Sequence, residues 1–486
     1  MTPAGETSRP PVTAEPARQT GQLNADRPSR LELLTLIHVA GLVLFTTWDF
    51  GGETDLARLI ISWWGSLALP IMAAACLHRL ERRNGLPSAL YWLWPLLFFN
   101  ALVFAGTLNP SFTHAFVGGA DALVLGGAKA GWPSSALPAV SLHALWQFNA
   151  IYLTCFNLAL VVTRRRLLRA LLFILTVNAL LLAVMGTFQK LARAPGLYFG
   201  LQPSPNEAFF ASFIYHNHWG AFILLSTAAA LGLLFHHARR TDRHDRRHSP
   251  ALFGLVATLF MAASVPLSTS RSCTVLVLVL LTGALVHWLW RLRRKRQADG
   301  GSLAVPAAVA VVVFLVGLGG IYLLGRPVIE TRVNKTREQI EEIRLRGNLG
   351  GREQLYADTW RMAREKIWFG WGLGSYATVF QIYNQQVSVE GWVPFYAQAH
   401  SDWLQALAEV GLAGTVLIVL MGVVPVTSLW RLGPPGAVSG YLLAGCGLLA
   451  FYAVVEFPFA NPAVMETFWL CFFTALRYHK LTLGDA

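Results

Sequence analysis

The stretch SCTVLVLVLLTGALVHWLW, residues 272–290, followed at once by RLRRKR, residues 291–296, decides the class of this protein. A run of 19 residues without Asp, Glu, Lys or Arg is long enough, as a helix, to cross the apolar core of a bilayer. The basic run behind it is the kind that holds a helix end on the cytoplasmic side. The same pattern recurs along the chain. Of its 486 residues 54% are hydrophobic and 13% charged, too few charges to cover a soluble protein of this length. The net charge of +13 is spread over short clusters between apolar runs, such as His78 to Arg83, Arg164 to Arg166 and Arg239 to Arg247. That distribution is a topology signal, and nucleic acid is not an expected partner.

Twelve transmembrane helices are expected, at roughly 31–48, 56–77, 88–106, 144–163, 167–188, 213–235, 251–268, 272–290, 303–324, 411–430, 437–457 and 462–477. With the N-terminal side cytoplasmic, 24 of the 39 Lys and Arg fall on inside segments. Ten of the other 15 lie in the single loop 325–410, and long loops weigh little in this rule. The expectation is an all-α integral membrane protein with both termini cytoplasmic. Its parts are a disordered tail (1–30), transmembrane helices 1–9 (31–324), a long helical periplasmic loop (325–410), transmembrane helices 10–12 (411–477) and a short cytoplasmic tail (478–486). The first apolar run reads as a signal anchor.

The loop is the distinctive feature, since loops of this size with their own helices usually carry function. Ile329, Val333, Ile340 and Ile343 suggest one amphipathic helix, and Tyr356, Trp360, Ala363 and Ile367 a second. Gly370, Gly372 and Gly374 read as a turn, and a third helix starts near His400-Ser401-Asp402. The five cysteines lie in or beside apolar runs, spaced for neither zinc nor disulfides, and read as small buried hydrophobes.

Few residues stand out chemically. There is no phosphate-loop motif, no His-Glu-x-x-His and no paired carboxylates in the short basic loops, so no ATP, metal or other cofactor is expected. Arg271, in Ser268-Thr269-Ser270-Arg271-Ser272 between two apolar runs, is costly at that depth unless it faces a cavity or partner. Its planar fork suits a phosphate, and its plain alternative is an arginine snorkelling to the interface. His400 lies where the loop re-enters the membrane and is suited to accept a proton from a hydroxyl, with Asp402 and Glu409 as candidates to orient it. The plain alternative is a packing histidine. Arg352 opens the second loop helix and, taken alone, is an exposed arginine paired with Glu353 or a nearby acid. His216 and His218, at the outer end of the sixth span, are candidates to line the same cavity. Two residues apart on a helix they point in different directions, which disfavours a shared metal.

These residues fall into runs that resemble the O-antigen ligase and polymerase family. The runs are Gly351-Arg352-x-x-Leu355-Tyr356-x-x-x-Trp360, Trp368-x-Gly370-x-Gly372-x-Gly374-Ser375-Tyr376 and Ala399-His400-Ser401-Asp402-Trp403-Leu404-x-x-Leu407-x-Glu409-x-Gly411. Tyr215-His216-Asn217-His218-Trp219, Leu267 to Arg271, and Glu456-Phe457-Pro458-Phe459 through Pro462 add to the resemblance, which covers about 210 to 475. It implies a GT-C-like bacterial inner-membrane glycosyltransferase that takes glycan from undecaprenyl pyrophosphate at the periplasmic face. His400 matches the family's general-base histidine, and Arg271 and Arg352 match arginines expected to hold the donor pyrophosphate. His216 and His218 have no counterpart carried over, and Ser401 stands where Asn is common.

The implied partners are a lipid-linked oligosaccharide donor and a glycolipid acceptor such as lipid A–core, joined by one inverting displacement. The resemblance leaves three enzymes open: a ligase, an O-antigen or exopolysaccharide polymerase, and a protein O-oligosaccharyltransferase. A transporter or flippase is the alternative of another class. It would show broken spans and charges near the bilayer midplane, whereas here the conspicuous polar residues gather at the outer end and in one helical loop.

Overall fold

The computed structural model describes residues 27–83, 85–238, 250–299, 301–302, 304–323 without 306, 310, 313, 318, 321 and 322, and then 351–386, 393–430 and 433–483. Among these, fourteen α-helices are bounded. They are α1 (Arg30–Trp48), α2 (Asp55–Ser66), α3 (Ala68–Glu81), α4 (Trp94–Thr107), α5 (Pro138–Val161), α6 (Arg165–Leu191), α7 (His216–His237), α8 (Pro250–Leu267), α9 (Arg271–Asp299), α10 (Gly351–Glu365), α11 (Tyr376–Tyr383), α12 (Asp402–Trp430), α13 (Ala437–Tyr452) and α14 (Pro462–Leu483). Among the described residues nine stretches are long and apolar enough to cross a membrane: α1, α2 with α3, Ser88–Thr107 ending in α4, and α5, α6, α7, α8, α9 and α12. The protein is a polytopic membrane protein. Eight residues of the expected span 303–324 lie outside the described residues, and the stripe from Ile329 to Ile343 lies wholly outside them. The α13 helix has only 16 residues, and α14 carries Glu466, Arg477 and Lys480 and is not among the nine.

The α7 helix is the axis of the bundle. Nearly all of its apolar window is buried, chiefly by α6, α8, α13 and α14. Helices already in lipid gain little from the hydrophobic effect on meeting, so close packing of small residues must hold them together. A Cβ on Gly445 of α13 would come within 2.6 Å of the Ala228 methyl on α7, so only that methyl separates the two helices there. Leu33 and Ile37 of α1, Phe98 and Phe104 of α4, and Val275 and Val279 of α9 point outward and exposed, as lipid-facing side chains do. The start of α1 is fixed by a reciprocal cap. Ser29 Oγ accepts from Glu32 N, and the Glu32 carboxylate accepts from Ser29 N.

One end of the bundle carries a second small core, built from Leu355, Met362, Trp371, Tyr376, Phe380 and Ala399 among others. This cap departs from the all-α expectation in one respect. Phe112–Val117 (β1) and Ala120–Leu125 (β2) form an antiparallel hairpin, with Phe112 opposite Leu125. Lys366 anchors its base by donating to the hydroxyls of Ser111 and Ser134, with its ammonium 4.1 Å from the centre of the Trp371 ring. The buried face of α10 also differs from the expected stripe. Leu355, Asp358, Thr359, Met362 and Ala363 are buried, while Trp360 is 46% exposed, because packing against Trp371 and Tyr376 turns the helix by one position.

The α12 helix is broken at Gly411, whose φ of 63° lies in the left-handed region. A Cβ there would overlap the backbone of Trp368 and Phe369. The freed backbone groups are paired by the segment before α11. Trp371 N donates to Ala408 O (3.0 Å), Gly372 N to Glu409 O (2.7 Å), and Leu412 N to Ile367 O (2.7 Å). Irregular backbone beside a membrane span needs such pairing, because lipid supplies none. The Gly370-x-Gly372-x-Gly374 run is therefore a turn that packs onto the break in α12.

Candidate functional site

Four segments meet between the cap and the bundle: the start of α7, the start of α10, the turn before α12, and the loop 453–461 joining α13 to α14. Their junction is Glu456, buried at the foot of the cap. Its Oε1 accepts from Arg352 Nη2 at 2.6 Å and from Asn217 Nδ2 at 3.0 Å. Its Oε2 faces His400 Nδ1 at 3.6 Å, beyond hydrogen-bond length, and among the described residues neither atom has a hydrogen-bond partner. Burial alone would raise the Glu456 pKa, but the His400 imidazole and the Arg352 guanidinium outweigh it and hold the carboxylate below its ordinary range.

His400 is held by its backbone more than by its ring. Its φ of 52° is left-handed, its carbonyl accepts from Tyr356 Oη at 2.9 Å, and the next residues open α12. Ser401 Oγ caps that helix through Leu404 N, a role that Asn serves equally well. The imidazole stands edge-on to Phe457 at 4.7 Å and keeps 26% of its side chain exposed. The expectation that Asp402 or Glu409 orients the ring is not met. Asp402 Oδ2 accepts from Phe459 N (2.9 Å), and Glu409 accepts from Gly374 N (2.7 Å) and Tyr376 N (3.1 Å) ahead of α11. Both carboxylates serve the backbone, and the acid facing His400 is Glu456.

Arg352 keeps 54% of its side chain exposed, so its fork is anchored by Glu456 on one side and open on the other. Arg271, exposed at the first residue of α9, has no carboxylate partner among the described residues. It follows Ser270, whose hydroxyl donates to Asn217 Oδ1 at 2.7 Å, so the start of α9 is tied to the same network. Among the described residues no three His, Cys, Asp or Glu side chains gather as a metal site.

A second His–Glu pair lies behind the first. His218 Nδ1 is 2.6 Å from Glu53 Oε1, and Asn461 Nδ2 donates to the same oxygen at 2.8 Å. Burial pushes the Glu53 pKa up, but His218 and Asn461 overcome it, so this carboxylate too lies below its ordinary range. Phe457 separates the pairs. His218 meets its ring edge-on at 5.2 Å, Tyr215 stacks on it at 5.3 Å, and Phe457 O lies 3.3 Å from His218 Nε2. His216 lies edge-on to Tyr215 and is half-buried.

The sequence points to His400, Arg352, Arg271, His216 and His218, but not to Glu456, Glu53 or Asn217 as site residues. A signal existed for Glu456: it is a lone acid at the end of the apolar run Tyr452-Ala-Val-Val. Chemically, the arrangement sets an imidazole against a buried carboxylate, beside an arginine with a free edge. Such a pair can accept a proton and stabilise the resulting imidazolium, while the arginine receives an anion.

Residues 256–419, about a third of the chain, match the family model described as O-antigen ligase. Arg271, Arg352 and His400 fall inside the match, and Asn217, His218 and Glu456 outside it. No curated protein matches the chain. This polytopic membrane protein therefore carries an O-antigen ligase family domain over residues 256–419, the domain of glycan-transferring membrane enzymes of the ligase and polymerase type.

Proposed function

We propose that the chain is an O-antigen ligase-type glycosyltransferase. It moves glycan from undecaprenyl pyrophosphate to lipid A–core or a similar acceptor, without metal or ATP and with inversion. The observation that carries this reading is the row Arg352–Glu456–His400, a base and an anion receptor built on one buried carboxylate. The acceptor hydroxyl gives its proton to His400 as its oxygen bonds to the anomeric carbon. The bond from that carbon to the pyrophosphate oxygen breaks, and its electron pair leaves with the phosphate. Glu456 stabilises the imidazolium, and the free edge of Arg352, with Arg271, takes the growing charge on the leaving group. A small movement of about 0.7 Å would bring His400 and Glu456 to hydrogen-bond length, a tightening common when substrate binds.

In this reading twelve spans form a GT-C-like frame, both termini are cytoplasmic, and the cap with His400 is periplasmic. The test is to incubate purified protein with undecaprenyl-pyrophosphate glycan, with and without lipid A–core. Product on lipid A–core alone supports the ligase. A ladder of lengthened glycan without it would make the protein a polymerase using the same site. No transfer to either by folded protein overturns the reading.

A further inference from the structure

At the end of the bundle opposite His400, the start of α1, the end of α3, the junction of α5 with α6, and α14 enclose a cavity of about 900 Å³. The α1 helix spans the separation: its first residue lies at this cavity and its last, 19 residues or about 28 Å away, near the candidate site. Six arginines border the cavity: Arg27, Arg30, Arg79, Arg82, Arg164 and Arg477. Among the described residues the lining has one carboxylate, Glu32, and both of its oxygens are engaged. Its Oε1 accepts from Thr163 N at 2.8 Å and Thr163 Oγ1 at 2.7 Å, and its Oε2 from Ser29 N at 2.9 Å and Arg164 Nη1 at 2.5 Å. Arg477 turns its Nε onto Val162 O, with Arg79 repelling its charge and Glu32 attracting it. Among the described residues Arg27, Arg30, Arg79 and Arg82 have no acid partner.

This much uncompensated positive charge around a cavity favours an anion, and guanidinium forks match phosphate oxygens best. The inner walls are apolar, from Ala75, Leu160 and Val161, so the occupant continues from a phosphate into hydrocarbon. We propose that this cavity binds the phosphate headgroup of an anionic phospholipid, with the arginines on its oxygens and the first methylenes of a chain against the walls. A basic pocket between helix ends at a negatively charged leaflet is the setting in which such lipids bind. The occupant would tie together α1, α3, α5 and α14. The inference is independent of glycan transfer.

The experiment measures binding of fluorescent phosphatidylglycerol to the full chain in neutral detergent, with phosphatidylcholine and inorganic phosphate as competitors. Each arginine at an anionic lipid surface contributes roughly fivefold in affinity, so the double variant Arg79→Gln, Arg82→Gln should bind roughly twentyfold more weakly. Arg293→Gln with Lys295→Gln removes the same charge from α9 at the same end but outside the cavity, and should change affinity less than about twofold. Equal losses in the two variants, or phosphatidylcholine competing as well as phosphatidylglycerol, would overturn the proposal. Competition by inorganic phosphate as strong as by the lipid would make the ligand free phosphate and overturn the lipid assignment.

Discussion

Replacing Glu456 by Gln isolates what the buried carboxylate does for His400. The side chain keeps its shape and an oxygen for Arg352 and Asn217, while the charge facing His400 is lost. At 3.6 Å, a full carboxylate–imidazolium attraction is about 4–5 kcal/mol at an effective dielectric constant of about 20. Arg352, bound to the other oxygen, cancels roughly half, leaving about 2 kcal/mol, or about thirtyfold in the rate of a step that charges His400. Initial rates of glycan transfer at saturating donor should therefore fall between about tenfold and a hundredfold, with KM within about threefold. Combining the change with His400→Ala should add little, because the two residues act as a unit. A folded Glu456→Gln protein with the parental kcat, or losses that multiply in the double variant, would refute the pairing.

Three further outcomes follow from the geometry. Gly411→Ala forces a Cβ into the backbone of Trp368 at a left-handed residue, and should lower stability by about 3 kcal/mol or abolish expression, read by thermal unfolding in detergent. His218→Ala strands the Glu53 carboxylate and should cost about 3 kcal/mol, whereas Glu53→Gln with His218→Gln, which removes the charge, should recover much of it. The pH dependence has a definite sign. The folded-state pKa of Glu456 is depressed, so its stabilisation is complete above the unfolded value of about 4.3 and fades as pH falls through the lower folded value. Melting temperature against pH should show this acid-side loss in the parent and a smaller one in Glu456→Gln.

The membrane spans were legible because hydropathy is local: an apolar run such as 272–290 announces itself without knowledge of its neighbours. Arg271, Arg352 and His400 were legible for a related reason, as polar groups standing at the borders of apolar or patterned segments. The acids behind them were hidden because their partners are distant in sequence. Glu53 meets His218 from 165 residues away and Asn461 from 408, and only the packing of α1, α7 and α14 brings them together. The candidate partners Asp402 and Glu409 are nearer to His400 along the chain, yet their helix and turn direct both carboxylates to backbone amides. The hairpin did leave a mark. Gly118-Gly119 separates its two strands and both glycines have positive φ, the signature of a tight two-residue connection. Trp360 misled because a tryptophan in a stripe looks like core, whereas the face of α10 is chosen by the partners Trp371 and Tyr376.

The central claim is that His400 accepts the acceptor's proton in a transfer from lipid pyrophosphate. The most direct measurement is single-turnover transfer from undecaprenyl-pyrophosphate glycan by parent and His400→Ala proteins of equal thermal stability. The account predicts that the variant still binds the donor but transfers at least about a hundredfold more slowly, the contribution of general-base catalysis. Transfer by the variant at the parental rate would contradict it.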